Sequence, residues 1–131
     1  MPPGDLPTAL EHFVLQKLRS LDHLDALVAM YREPTKWWTG EMLAQSVGTS
    51  VGAAERLLDD LCSASLLKVR ITSALMYQYS PASEEMERLV ADLVDALRHA
   101  RVRIYTLITS RSSRALHEFA DAFRFRSGKR G

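Results

Sequence analysis

The side chains that could do chemistry in this 131-residue chain are few and widely spaced. Structural zinc sites use His or Cys pairs a few residues apart, and the chain has no such pair. The single cysteine, Cys62, lies one turn after Leu58 and favours a buried structural thiol. No paired-carboxylate, Ser/His/Asp or Gly-rich phosphate-binding pattern stands out. We therefore expect no enzyme activity, no cofactor and no metal site. The histidines, which we expect to be solvated or locally bonded, are His12, His23, His99 and His117.

Positive charge is the other feature that could do chemistry, because Lys and Arg side chains neutralise phosphates. The formal net charge is +1, but residues 1–96 carry eight Lys/Arg against fourteen Asp/Glu. Residues 97–131 carry nine Lys/Arg against two Asp/Glu. An acidic body with a basic end suggests that the basic end meets a negatively charged partner.

The overall composition is that of a globular domain, with 47% hydrophobic and 25% charged residues. No run of apolar residues is long enough to span a membrane. The first residues lack the basic and apolar regions of a secretory signal. We expect a cytoplasmic protein with a single compact domain.

The elements that would position these groups begin with helices. Apolar residues at three- and four-residue spacing predict helix over about 8–33, with Thr8 as the N-cap and a break at Ser20–Asp22. Trp37 and Trp38 then form a short extended piece, which we interpret as core plus interface rather than as a base-stacking pair.

Two shorter helices follow, separated by a tight turn. Thr39 caps the first, and Gly48 ends it in the way that glycine commonly ends a helix. Ser50 or Thr49 caps the second, which we expect to run to about Ala64. The spacing therefore predicts a helix-turn-helix unit.

Between residues 66 and 80 the apolar period changes from 3.6 to 2. Alternating runs over 67–72 and 75–79, separated by Ser73–Ala74, predict a β-hairpin that ends at Pro81.

The sequence predicts a long helix over 83–111, with Ser83 as its cap and acidic residues in its first turn. Its apolar residues repeat at intervals of four and three, which is the seam of a coiled coil. We expect this seam to form a homodimer, although the same stripe could instead pack wholly on its own body. The seam residues are Met86, Val90, Leu93, Leu97, Ala100, Ile104 and Leu107.

This order of elements resembles the winged helix-turn-helix domain of bacterial transcription regulators such as the MarR-like and PadR-like groups. The resemblance covers about a third of the chain, from Trp38 to Pro81. It is carried by residues 38–44 in the first helix of the motif, by 48–51 in the turn and by 57–61 and 66–69 in the second helix and its exit. Residues 77–81 close the wing.

The resemblance implies a mainly α fold with a small β-hairpin wing, an N-terminal helix and a long C-terminal coiled-coil-like helix. It also implies a dimeric DNA-binding regulator that reads the major groove with helix 50–64 and contacts the backbone with wing 66–80. The residues that would contact DNA are Thr49, Ser50, Gly52, Ala53 and Arg56 on the helix, and Lys68, Arg70 and Thr72 on the wing.

An alternative function is open, because residues 39–64 carry four acidic residues and only one basic residue. In this alternative the winged helix is a protein-interaction adaptor, and the basic C-terminal tail anchors it. Possible partners are therefore DNA, a second copy of the chain, or another protein.

The tail over 112–131 has Leu116, Phe119 and Phe123 at helical spacing among five Lys/Arg. This short amphipathic helix could dock on a partner subunit, follow the DNA backbone or, least favourably, lie on anionic lipid. The expected organisation is therefore a disordered start (1–7), the winged helix domain with its N-terminal helices (8–82), a dimerisation helix (83–111) and the basic tail (112–131).

Overall fold

The computed structural model describes residues 6–110 of the chain. Within this range lie six helices and one three-stranded antiparallel sheet. The predicted tail helix over 112–131 lies outside the described residues, as do residues 1–5. In chain order the elements are α1 (Thr8–Lys17), α2 (Leu21–Arg32), β1 (Trp37–Trp38), α3 (Gly40–Val47), α4 (Val51–Ser63), β2 (Leu67–Ile71), β3 (Leu75–Tyr79), α5 (Glu84–Ala96) and α6 (residues 101–110).

Serine and threonine caps fix the starts of four helices. The side-chain oxygens of Ser20, Thr39, Ser50 and Ser83 each accept a hydrogen bond from the backbone N–H three residues later. The predicted break at Ser20–Asp22 and three predicted caps are thereby confirmed. Thr8 is the exception: it is the first helical residue, Pro7 precedes it, and no side chain caps this helix.

Two backbone turns shape the helix-turn-helix unit, one between its helices and one where it leads into the wing. Gly48 ends α3 in the left-handed conformation (φ 74°, ψ 43°), which glycine adopts without steric cost. Ser65, between α4 and β2, has φ 67°. Most residues with a side chain are strained in this left-handed backbone conformation. Its carbonyl accepts a hydrogen bond from the N–H of Ala82, which closes the base of the wing.

The sheet has the strand order β1–β3–β2. Gln78 of β3 lies opposite Trp37 on one side and Lys68 on the other, and Tyr77 lies opposite Trp38 and Val69. Since side chains alternate between the faces of a sheet, Trp37, Gln78 and Lys68 share one face, with Arg70 and Met76. We call this face the outer wing face. The predicted hairpin is confirmed, and β1 adds a third strand to it.

One hydrophobic core joins the helices to the inner face of the sheet. The largest fully buried side chains come from α2 to α6 and from Leu18 directly after α1, and they include Trp38 of β1. α1 packs on α5, and Arg103 of α6 donates to Glu11 Oε2 of α1 at 3.1 Å. Leu6 is only 8% exposed, so the predicted disordered start does not extend to this residue.

The predicted continuous helix over 83–111 is divided in two. α5 ends at Ala96, and the N–H groups of Arg98 and His99 bond to carbonyls three residues back, which tightens the backbone into a turn. The helix resumes at residue 101, where the N–H of Ile104 bonds to the carbonyl of Ala100 at 3.1 Å.

The apolar stripe predicted as a coiled-coil seam is covered by the chain's own body. Val90, Leu93, Leu97, Ala100 and Ile104 are all buried within a single copy, and Met86 and Leu107 pack against the same core. An exposed seam is therefore not observed in the described part of the chain, because the other helices already supply the apolar partner that the stripe needs. The homodimer stays a prediction, and the seam no longer provides a reason for it.

Candidate nucleic-acid interface

Helix α4 presents a surface of small residues at its N-terminal end. Ala54, Leu57, Leu58 and Leu61 are buried, so the opposite side of the helix faces outward. Of the predicted DNA-contacting residues on this helix and its cap, Ser50, Gly52 and Arg56 are exposed, and Thr49 and Ala53 are half-buried. The Nε of Arg56 donates to the carbonyl of Gly52 at 3.5 Å, which lays this side chain along the helix.

Two of the three carboxylates on α4 make hydrogen bonds within the chain. Asp60 Oδ2 lies 2.8 Å from Nε2 of His23 on α2, and Asp59 Oδ1 accepts from the hydroxyl of Tyr77 on β3 at 3.0 Å. The sequence could not show these partners, because they lie far away along the chain. Glu55 is the only acidic residue of α4 without such a bond, so the other two carboxylates are fixed in position by contacts within the chain.

His23 forms a hydrogen-bonded chain with Ser20 and Asp60. Its Nδ1 lies 2.7 Å from Ser20 Oγ, and the ring is buried. Sequence reasoning found no Ser/His/Asp pattern, since only the Ser20–His23 spacing is local. Ser20 Oγ also caps α2 by accepting from the His23 backbone N–H at 3.3 Å. We therefore interpret these hydrogen bonds as a connection between the start of α2 and the end of α4. This agrees with the prediction of a locally bonded histidine.

The outer wing face carries two cations over an aromatic ring. The guanidinium carbon of Arg70 lies 4.1 Å from the centre of the Trp37 ring, and Nζ of Lys68 lies 5.6 Å from it. Both cations are exposed, as is the third predicted wing residue, Thr72, near the tip. Cation–π attraction of this kind holds positive charge in place over a ring face.

Trp37 is the residue of this site that sequence reasoning missed. Trp38 is 1% exposed and belongs to the core, as predicted, but Trp37 is half-buried and faces the two wing cations. The signal was available: the alternation of a strand puts neighbouring tryptophans on opposite faces. What the sequence did not show was that β1 pairs with β3, which brings Trp37 beside β2 residues.

The inner face of the wing holds two buried tyrosines. Burial and the hydrogen bond to Asp59 raise the pKa of Tyr77 to about 12, because both favour the neutral phenol. Burial also raises the pKa of Tyr79, whose ring packs edge-on against Tyr31 at 5.6 Å. Both hydroxyls are therefore protonated at neutral pH, and Tyr77 connects the wing to α4.

The architecture is decided by four parts of the chain: helix α2, the short strand β1, the α3–turn–α4 unit, and the hairpin that pairs with β1. This fold is a winged helix-turn-helix. It agrees with the fold class that the sequence predicted, apart from the division of the last long helix. No protein-family model and no curated protein sequence matches this chain.

Among solved structures, the chain is similar to NolR from Sinorhizobium fredii, with a TM-score of 0.49 and 21% identity over 72% of this chain and 95% of that one. It is similar to a possible transcriptional regulator from Methanosarcina mazei, with a TM-score of 0.46 and 18% identity over 86% and 85% of the two chains. A third similar structure is RV1404 from Mycobacterium tuberculosis, with a TM-score of 0.45 and 19% identity over 87% and 82%.

Over residues 6–110, no three His, Cys, Asp or Glu side chains are grouped so that they could hold a metal ion. No helix in this range is long and apolar enough to cross a membrane. Cys62 is half-buried, and its Sγ lies 3.7 Å from the carbonyl of Leu67.

Proposed function

We propose that this protein is a non-catalytic transcription regulator that binds duplex DNA through α4 and the outer wing face. The observation that carries the proposal is the pair of exposed cations, Lys68 and Arg70, held over Trp37 on a three-stranded sheet. A winged helix uses its second motif helix in the major groove and its wing on the neighbouring backbone. Here the wing supplies the positive charge that phosphate contact requires.

The outward side of α4 supports the same proposal by its shape. Gly52 and Ala53 have little or no side chain, so the helix backbone can approach base edges closely. Arg56 is the one long donor on this side, and arginine is the side chain most often used to read guanine in the major groove. Asp59 and Asp60 bond to Tyr77 and His23 nearer the C-terminal end of α4, which leaves Glu55 as the carboxylate beside Arg56 on this helix.

The experiment is fluorescence anisotropy of a labelled random-sequence duplex, titrated with the whole protein at several salt concentrations. Each phosphate contact contributes a slope of about −0.9 to the plot of log affinity against log salt. Lys68→Ala with Arg70→Ala should therefore reduce the magnitude of the slope by about 1.8. Adding Arg56→Ala should reduce it further.

A matched control removes the same two residue types elsewhere. Lys17 on α1 and Arg88 on α5 lie outside both α4 and the wing, and Lys17→Ala with Arg88→Ala changes the net charge equally. We expect this control to bind DNA with the wild-type slope. Equal weakening by both double variants would mean that only the net charge matters, and the assignment of the wing would be wrong.

A homodimer belongs to the same proposal, since two wings related by a two-fold axis would read half-sites about one helical turn apart, ~34 Å. Light scattering of the whole chain tests it. A species of twice the 14.7 kDa chain mass is expected at tens of micromolar. A species of the single chain mass at that concentration would remove the dimer from the proposal.

A second candidate function is a winged helix that binds a protein. It is favoured by apolar side chains on the inner face at the wing tip, where Val69, Ile71 and Leu75 are 46%, 76% and 49% exposed. In this case residues 112–131 would act as the basic anchor. The same anisotropy titration separates the two functions, because an adaptor would show no DNA affinity that depends on Lys68 and Arg70.

A further inference from the structure

Strand β2 lies at one edge of the sheet, since the strand order is β1–β3–β2. In an antiparallel ladder every second residue turns its N–H and carbonyl towards the neighbouring strand. The N–H of Ser80 donates to the carbonyl of Leu66 at 2.9 Å. Counted in steps of two from this bond, Lys68 and Arg70 are the residues of β2 that bond to β3.

The backbone groups of Val69 and Ile71 therefore point away from β3, and we call these two residues the β2 edge. Within residues 6–110 their backbone groups make no hydrogen bond outside the hairpin. The carbonyl of Leu67, which has the same orientation, lies 3.7 Å from Cys62 Sγ. Unpaired backbone groups at a sheet edge are a template for a further strand.

The side chains along this edge alternate between two kinds of chemistry. Lys68 and Arg70 are exposed on the outer wing face, whereas Val69 and Ile71 are 46% and 76% exposed on the opposite face. Leu75, which pairs with Ile71, is 49% exposed and extends this apolar surface. Exposed apolar side chains that form a group mark an interaction site more often than scattered ones do.

We propose that the β2 edge binds an extended peptide of alternating acidic and apolar residues, which adds a fourth strand to the sheet. Side chains directly opposite each other share a face of a sheet. The acidic side chains would therefore lie beside Lys68 and Arg70, and the apolar ones beside Val69 and Ile71. In strand addition of this kind the backbone hydrogen bonds give affinity and the alternate side chains give specificity. The proposal gives the second candidate function a partner of stated chemistry, and it holds whether or not the chain also binds DNA.

Charge argues against the two occupants that the chain itself could supply. Pairing of β2 with β2 of a second copy about Val69 would put Lys68 of one copy opposite Arg70 of the other, and like charges directly opposite destabilise a strand pair. The segment 112–131 has five Lys/Arg against two Asp/Glu, so it carries the same sign of charge as the edge. An acidic strand from another protein has the complementary charge.

The test is fluorescence anisotropy of a labelled peptide that alternates Glu and Val, titrated with the whole protein without DNA. A peptide that alternates Lys and Val should bind about tenfold more weakly or less, because each cross-strand charge pair becomes repulsive. A peptide of the same composition as the first, with all Glu before all Val, should also bind more weakly, since it cannot present one kind of side chain to each face. Equal binding of the three peptides would overturn the proposal.

Peptides with methylated backbone nitrogens test strand addition itself, on the wild-type chain. In an antiparallel pair the Val residues of the peptide would exchange hydrogen bonds with Val69 and Ile71, and the Glu N–H groups would point outward. N-methylation of the Val residues should therefore abolish binding, whereas N-methylation of the Glu residues should not. The reverse result would assign a parallel strand. Equal affinity of the two methylated peptides would overturn strand addition.

Reversal of charge locates the site on the wing. Lys68→Glu with Arg70→Glu should bind the Lys–Val peptide more tightly than the Glu–Val peptide. The control, Lys17→Glu with Arg88→Glu, changes the net charge equally and should keep the wild-type preference. The proposal is wrong if the wing variant keeps the wild-type circular dichroism spectrum and does not prefer the Lys–Val peptide, or if the control also reverses its preference.

A matched pair of apolar substitutions tests the other face of the edge. Ile71→Thr keeps a β-branched side chain but removes apolar surface, so it should weaken binding of the Glu–Val peptide by about threefold or more. Val102 on α6 is 78% exposed, and Val102→Thr should leave binding unchanged. Equal effects of the two substitutions would show that the apolar face of the edge does not contact the peptide. Since no DNA is present in any of these measurements, their failure would leave the proposed DNA binding untouched.

Discussion

The hydrogen bond between Tyr77 and Asp59 offers the sharpest test of how the wing is attached to α4. Tyr77 is 6% exposed and donates to Asp59 Oδ1 at 3.0 Å. Two residues along the same strand face, Tyr79 is 9% exposed, and its hydroxyl finds no partner among residues 6–110. The substitution Tyr→Phe at each position therefore removes the same atom from two different environments.

The expected effects have opposite signs. A hydrogen bond to a charged group contributes about 1.5–3 kcal/mol, and Asp59 is exposed, so water can replace the lost donor. We therefore expect Tyr77→Phe to lower the free energy of unfolding by about 1–2 kcal/mol. A buried hydroxyl without a partner costs about 1–3 kcal/mol, so Tyr79→Phe should leave the stability unchanged or raise it by up to about 1 kcal/mol.

Urea unfolding followed by circular dichroism at pH 7 measures both variants against the wild type. Equal destabilisation by the two substitutions, or a larger loss for Tyr79→Phe, would refute the reasoning, since the Tyr77 hydroxyl would then contribute nothing special.

The pH dependence of the same transition gives an independent check. The pKa of Tyr77 is raised from 10.0 to about 12 in the folded chain, so between these values the folded state keeps a proton that the unfolded state has released. The stability that this raised pKa of Tyr77 contributes is complete below pH 10 and is lost as the pH rises towards 12. Tyr77→Phe should therefore flatten the fall in stability over this range.

Three other tests, each on a local feature of the fold, use the same unfolding measurement. Ser65→Gly should stabilise the chain by about 0.5–1 kcal/mol, because glycine adopts the positive φ without strain; a loss of stability would contradict this. A Cβ at Gly40 would lie 2.6 Å from Glu55 Cγ. Gly40→Ala should therefore destabilise the wild type but not the Glu55→Ala variant. Equal destabilisation in both backgrounds would show that there is no steric conflict with Glu55. A double-mutant cycle of His23→Ala and Asp60→Ala should give a coupling of about 1 kcal/mol, whereas additive effects would mean that the 2.8 Å contact contributes no stability.

Features set by local spacing were predictable from the sequence. The caps at Thr39, Ser50 and Ser83, the ending of α3 at Gly48 and the hairpin turn all depend on residues within one turn of each other. The hydrogen bonds of the caps and of Gly48 join atoms three or four residues apart, and that of the hairpin turn joins Thr72 to Ala74. The winged-helix order followed from these elements.

Features that depend on distant partners were not predictable. A regular apolar stripe shows that residues such as Leu93 and Ile104 need an apolar partner, but not whether that partner is a second chain or α1 and the rest of the body. The charge of Asp60 is visible in the sequence, whereas its contact with His23 spans 37 residues. The position of Trp37 beside Arg70 likewise follows from strand pairing.

The most direct test of DNA binding by α4 and the wing is site-specific photocrosslinking. Single cysteines are introduced by Gly52→Cys, by Thr72→Cys or, as a control on α1, by Ala9→Cys, each in a Cys62→Ser background. Each variant carries a benzophenone label and is irradiated with radiolabelled duplex DNA at low salt. The proposed interface predicts crosslinks from positions 52 and 72 and none from position 9. Equal crosslinking from all three positions, or crosslinking from position 9 alone, would contradict it.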